Sequence, residues 1–148
     1  MANHLRQQIR DQIKTTLTGL TTTGNRVTDS RVYPIASNGT PALVIYTKSE
    51  TSEPIVIGID RLMSRELSVV VEGYAKAISN FDNIIDTISK EVEEAIAADT
   101  TLNGLVKDCY LESTEIEFNA EGEKPLGYVS LTFLTNYYVK ETNPDVAV

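Results

Sequence analysis

The sequence predicts a single α+β domain, residues 1–148, in which two amphipathic helices pack on one face of a mainly antiparallel sheet of four to six strands. Three observations predict it. Residues 126–139, LGYVSLTFLTNYYV, alternate at a period of two, with Val129, Leu131, Phe133, Tyr137 and Val139 on one side and Tyr128, Ser130, Thr132, Asn136 and Tyr138 on the other. That pattern marks a strand with one covered and one presented face, as in an antiparallel sheet, whereas a doubly buried parallel strand reads as unbroken Val, Ile and Leu. Two other stretches carry apolar stripes at helical spacing. The length of 148 residues suits one core, which a chain of this size closes without staples.

Residues 3–20 place Leu5, Ile9, Ile13, Leu17 and Leu20 on one stripe and predict the first helix, stopped by the TTTGN run at 21–25. Residues 31–35, RVYPI, read as a short strand limited by Pro34, which cannot donate to a ladder. A turn follows at 37–40. The Asn38-Gly39-Thr40 sequon inside it is read as turn chemistry, because no secretory signal precedes it. Residues 41–47, PALVIYT, predict a covered strand, and 48–53, KSETSE, a polar loop reaching out from the sheet. Residues 54–59 alternate weakly, as a third strand or as the ascending arm of a hairpin whose other arm is 65–74. That second arm separates Leu67, Val69 and Val71 from Glu66, Ser68 and Glu72.

Asn80 or Asp82 caps the second helix, striped by Ile84, Ile88, Val92 and Ile96 with Ile85 and Ala95. Lys90, Glu91, Glu93 and Glu94 read as its solvated face. Residues 106–118 form the first arm of a closing hairpin, but the alternation slips between Cys109 and Leu111 and Ile116 and Phe118, which predicts a bulge at 112–114. Residues 119–125 are its tip, with Gly122 available for positive φ, and the tail at 140–148 is expected to be loose.

The net charge of −8 is uneven. Residues 1–74 hold 8 Lys and Arg against 7 Asp and Glu, and residues 75–148 hold 5 against 14, so the halves carry +1 and −9. Such a field opposes tight binding to nucleic acid or to an anionic membrane, since both draw on Lys and Arg. No run of about 18 apolar residues is present to span a bilayer. The polar start MANHLRQQIRDQ lacks the apolar core of a signal peptide, which predicts synthesis in the cytoplasm.

Catalytic chemistry finds little to work with. His4 is the one histidine and Cys109 the one cysteine, so neither a Ser-His-Asp device nor an ordinary zinc site is expected, and Cys109 reads as a small core residue. The glycines stand singly and form no phosphate cradle. Glu112, Glu115, Glu117, Glu121 and Glu123 crowd the closing hairpin, yet their spacing matches no ion loop; they read as an acidic surface that resists wrong edge pairing. No cofactor and no metal are expected, and an enzyme ranks last among the functional classes.

The order helix, short strand with Tyr33-Pro34, turn, Pro41-Ala42-Leu43-Val44, hairpin, helix, long hairpin ending in Asn136-Tyr137-Tyr138 resembles the tail terminator proteins of long-tailed phages, the family of the lambda-like minor tail protein U. Related neck and tail-completion proteins share the pattern. The resemblance implies a structural α+β subunit of the virion tail that closes into a homo-hexamer, caps the tail tube at its head-proximal end and halts its growth. It further implies contacts with the tail tube protein and a head-tail connector protein, and DNA passing through the lumen without specific binding. A head-tail neck protein on the portal side is the alternative within this class. A small dimeric ligand-binding or regulatory domain is the alternative outside it. Ring closure needs heterologous contacts, for which the uneven charge points to Arg61, Arg65 and Glu66, the hairpin carboxylates Glu121 and Glu123, and the Tyr-rich strand face at Tyr128 and Tyr138.

Overall fold

The computed structural model describes residues 3–29, 40–118 and 126–148. The expected strand at 31–35, the turn after it up to Gly39 with Asn38 and Gly39 of its sequon, and the tip at 119–125 with Gly122, Glu121 and Glu123 lie outside the described residues.

The elements run α1 (Leu5–Leu17), β1 (Val27–Thr28), β2 (Ala42–Pro54), β3 (Leu62–Lys76), α2 (Phe81–Ala97), β4 (Asp108–Glu117) and β5 (Leu126–Lys140). Among the described residues they form one five-stranded mixed sheet in the order β1-β2-β3-β5-β4, with two helices in a single α+β domain. Only β1 and β2 run parallel; the other neighbours are antiparallel. The central pair β3–β5 is in register without interruption from Leu62↔Lys140 to Lys76↔Leu126.

Both helical stripes fold onto the same sheet face. Leu5, Ile9, Ile13 and Leu17 of α1 and Phe81, Ile85, Ile88, Val92 and Ile96 of α2 are buried against Leu43, Ile45, Leu67, Val69, Val71, Val129, Leu131, Phe133, Tyr137 and Val139. Burying each such aliphatic or aromatic side chain contributes about 1.5–3 kcal/mol, so the stripes rather than the exposed ion pairs decide where the helices sit. Phe81 supplies the first residue of the α2 stripe, ahead of Ile84, which is only partly buried. Asn80 occupies the N-cap of α2 without a side-chain capping bond. Close approach is built in at Gly127 of β5, where an added Cβ would lie 2.5 Å from the Phe81 ring and 2.8 Å from the Glu117 carbonyl.

Four expectations need correction. The 48–53 run is no loop: it continues β2, pairing from Ser49↔Ser68 to Pro54↔Met63. Backbone pairing holds this polar end of the sheet, so it needs no apolar side chains. Residues 55–61 are neither strand nor hairpin arm but the connection from β2 to β3, closed by Ile55 N donating to Leu62 O at 2.8 Å. Glu91 does not belong to a free solvated face, because its carboxylate accepts from the Thr22 amide at 2.9 Å and from the Thr22 hydroxyl. Finally, the stretch after β5 is tied down: Leu5 N donates to Pro144 O (3.0 Å), Gln8 Nε2 to Asp145 O (2.8 Å) and Val148 N to Tyr138 O (2.9 Å).

Two bulges interrupt the ladders. The one in β4, between Leu111 and Ser113, falls where the slip in alternation puts it. A second in β2, between Thr47 and Ser49, exchanges the faces: Leu43, Ile45 and Thr47 point to the helices before it, and Glu50 and Ser52 do so after it, opposite Leu67 and Arg65.

Candidate functional site

That second bulge creates a charged cleft beside the start of α1. His4, Arg6, Thr47, Lys48, Ser49, Glu50, Ser52, Arg65 and Leu67 line a space of about 500 Å³. Glu50 sits at its floor with a side chain only 9% exposed. Its Oε1 accepts from Arg6 Nη1 at 2.8 Å and lies 3.8 Å from Arg65 Nη1, and its Oε2 accepts from the Tyr137 hydroxyl. Burial first, then the bond to Glu50, pushes the Tyr137 phenol well above its ordinary range, so it stays protonated and donates. His4 caps α1, its Nδ1 accepting from Arg6 N at 3.0 Å, while its Nε2 lies 3.2 Å from Arg65 Nη1. Desolvation, and then the Arg6 guanidinium, lowers the imidazole pKa below 6.5 and keeps the ring neutral.

The second surface is the helix-free face of the sheet. The register places Glu53, Glu66, Glu72, Asp108, Glu115 and Glu117 there, against Lys76 and Lys140 near its two ends. Tyr74 and Tyr128 stack across β3 and β5 with centroids 5.2 Å apart and planes tilted by 36°. Burial, followed by the adjacent Glu72, pushes the Tyr74 phenol upward. A passing polyanion would meet repulsion on this face and few cations to hold it.

The third surface is the tip between β2 and β3. Ile57 and Ile59 are 97% and 102% exposed, and Ile55 and Val56 are each 51% exposed. The loop is nevertheless fixed at its base. Asp60 Oδ1 accepts from Thr142 N (3.2 Å) and Thr142 Oγ1 (2.7 Å), Arg61 Nη1 donates to Glu141 Oε1 (3.2 Å), and Glu141 N donates to Arg61 O (3.0 Å). The Thr142 hydroxyl bond is the main reason the Asp60 carboxyl titrates below its ordinary value. Covering each aliphatic side chain at the tip stabilises a complex by about 1.5–3 kcal/mol, while association costs about 4–15 kcal/mol. The tip alone therefore holds a partner weakly and needs a second surface beside it.

The residues singled out from sequence do not gather in one place. Arg65 lies in the cleft, 15% exposed, and Arg61 lies at the tip, paired with Glu141. Glu66 is exposed on the helix-free face opposite Asn136. Tyr128 and Tyr138 share that face but stand ten residues apart on β5, roughly 33 Å along the strand. Sequence reading missed His4, Arg6, Glu50 and Tyr137 as a group, and nothing in their spacing brings residues 4, 50, 65 and 137 together. The tip was legible as the apolar run around Gly58 between two strands, had those side chains not been read as strand.

Among the described residues, no group of three or more His, Cys, Asp or Glu side chains is placed to hold a metal. Cys109 is buried, and desolvation pushes its thiol up to about 12, so it is not a nucleophile at neutral pH. No helix among the described residues is long and apolar enough to cross a membrane.

No family model and no curated protein matches the chain. Among solved structures, a chain from the virion of a native gene transfer agent (GTA) particle matches over 92% of this chain and 92% of its own length, at 10% identity and a TM-score of 0.38. At that score the two folds are not equated.

Proposed function

We propose that this chain is a structural subunit of a phage tail that closes into a hexameric ring on the tail tube, ends tube polymerisation and offers the surface to which the filled head joins. The observation that carries the reading is the helix-free sheet face, with its six carboxylates between two terminal lysines. Turned toward a lumen, such a face lets DNA pass without adhering. The order of elements that resembles the terminator family supports the same reading, as does a fixed apolar tip suited to a protein partner. The subunit acts in the virion at the head-proximal end of the tail, after assembly in the host cytoplasm, and the reading assigns it no catalysis.

Tail length tests it. Phage particles lacking this protein should carry overlong or unfinished tubes. Tails of normal length left unattached to heads would overturn the terminator reading and favour a neck protein on the portal side. A dimer in solution whose melting point rises with a small ligand would instead indicate a regulatory domain.

A further inference from the structure

The cleft at the start of α1 crowds the cationic side chains of Arg6, Lys48 and Arg65 around one carboxylate, Glu50. Because His4 Nδ1 accepts from Arg6 N, the neutral ring carries its proton on Nε2, and that N–H faces Arg65 Nη1, a group that can only donate. Arg65 Nε is buried with no acceptor among the described residues. Lys48 adds a further cation at the exposed rim. One carboxylate, Glu50, already serves Arg6, Arg65 and Tyr137. Buried donors without acceptors are costly, and the open space beside them is large enough to admit one.

We propose that this cleft receives a carboxylate from a second copy of the chain, supplied by the acidic flank of Glu93, Asp108 and Glu112 at the opposite edge of the sheet. All three flank residues are exposed. The flank borders a recess of about 320 Å³ between α2 and β4, lined in part by Glu93, Asp108 and Tyr110. The cleft lies on the β2 side and the flank on the β4 side of the order β1-β2-β3-β5-β4. Their heights agree as well. Arg65 is opposite Tyr137, and Asp108 is opposite the adjacent Asn136. Copies placed side by side at equal height, rotated about an axis along the strands, therefore bring the cleft of one to the flank of the next. Each copy presents one donor-rich and one acidic side, which is a heterologous contact that repeats until the rotation closes. The inference rests on the ring reading above only in taking the copies to close; the pairwise contact stands without it.

Sedimentation velocity over a concentration series tests the contact with exposed residues whose reversal leaves the core untouched. Lys48→Glu reverses the cleft rim, and Glu93→Lys with Glu112→Lys reverses the flank. Melting temperatures verify that each variant is folded. Either variant alone should self-associate roughly tenfold or more weakly than the wild type. An equimolar mixture should regain association, because the glutamate-bearing cleft of one variant meets the lysine-bearing flank of the other, and the unchanged cleft of the second meets the unchanged acidic flank of the first. A wild type that stays monomeric throughout overturns the contact, while the ring reading is decided separately by tail length. Variants that associate like the wild type, or a mixture that fails to recover, overturn the contact alone and leave the tail-length test of the ring reading untouched. Inorganic phosphate forms a control arm: if it raises the melting temperature of the wild type but not of Arg65→Gln, while the charge reversals leave association unchanged, the cleft is a small-anion site and the proposal falls.

Discussion

Glu50 is the carboxylate on which α1, β2, β3 and β5 converge, since Arg6, Arg65 and Tyr137 all turn toward it. Glu50→Ala leaves two guanidinium groups and a phenol facing a void, and should lower stability by about 1–3 kcal/mol in chemical denaturation. Tyr137→Phe removes the hydroxyl that donates to Glu50 and should cost about 1 kcal/mol. His4 adds a pH dependence whose sign follows from its lowered pKa. Between the folded value and 6.5 the unfolded chain binds more protons, so the contribution is fully present above 6.5 and is lost as pH falls through the folded pKa. Melting temperatures measured from about pH 7.5 down to about pH 5 should therefore decline more steeply for the wild type than for His4→Gln. None of this was legible from the residues in order. Glu50 sits in a polar run without a single apolar side chain, so the run betrays neither its strand pairing nor the face that the bulge gives it.

Elements were legible in proportion to the apolar residues that mark their phase. The α1 and α2 stripes, the alternation of β5 and even the bulge in β4 showed in the sequence, because Cys109 and Leu111 fall out of step with Ile116 and Phe118. The bulge in β2 is the same device, but it lies among Lys, Ser, Glu and Thr, where a change of phase leaves no trace. The tip misled for the opposite reason: its aliphatic side chains look like strand and are instead bare. Ile57→Ser and Ile59→Ser should accordingly shift stability by less than about 0.5 kcal/mol, while weakening adhesion to isolated tail tubes in a co-sedimentation assay. Tight packing gives the contrasting case. Gly127→Ala drives a methyl group into the Phe81 ring and the Glu117 carbonyl, and should destabilise by about 1–3 kcal/mol in a denaturant titration.

At the scale of the whole molecule, the two halves of the chain carry +1 and −9, and the strand order keeps β1, β2 and β3 of the first half on one side of the sheet and β5 and β4 of the second on the other. Side-by-side association should weaken as salt rises from about 50 mM to about 300 mM, a range over which the screening length falls below 10 Å. Light scattering at fixed protein concentration reads that change as a lower mean mass. The single domain and the shared cover of two helices followed from sequence; the shape of the surfaces did not, because surfaces depend on which loops and bulges bring distant residues together.

The amide of Gln8 bears on how such experiments are built. Its Nε2 donates to Asn3 O at 2.7 Å and to Asp145 O at 2.8 Å, holding the first and last described stretches side by side, next to the His4 and Arg6 cleft. An affinity tag or fluorescent fusion attached near either stretch would hang over that cleft and blunt any assembly measurement. The exposed turn before β4, at Asn103 and Gly104, is no better placed, because it adjoins the Glu93 and Asp108 flank on which the other half of the contact is proposed to lie.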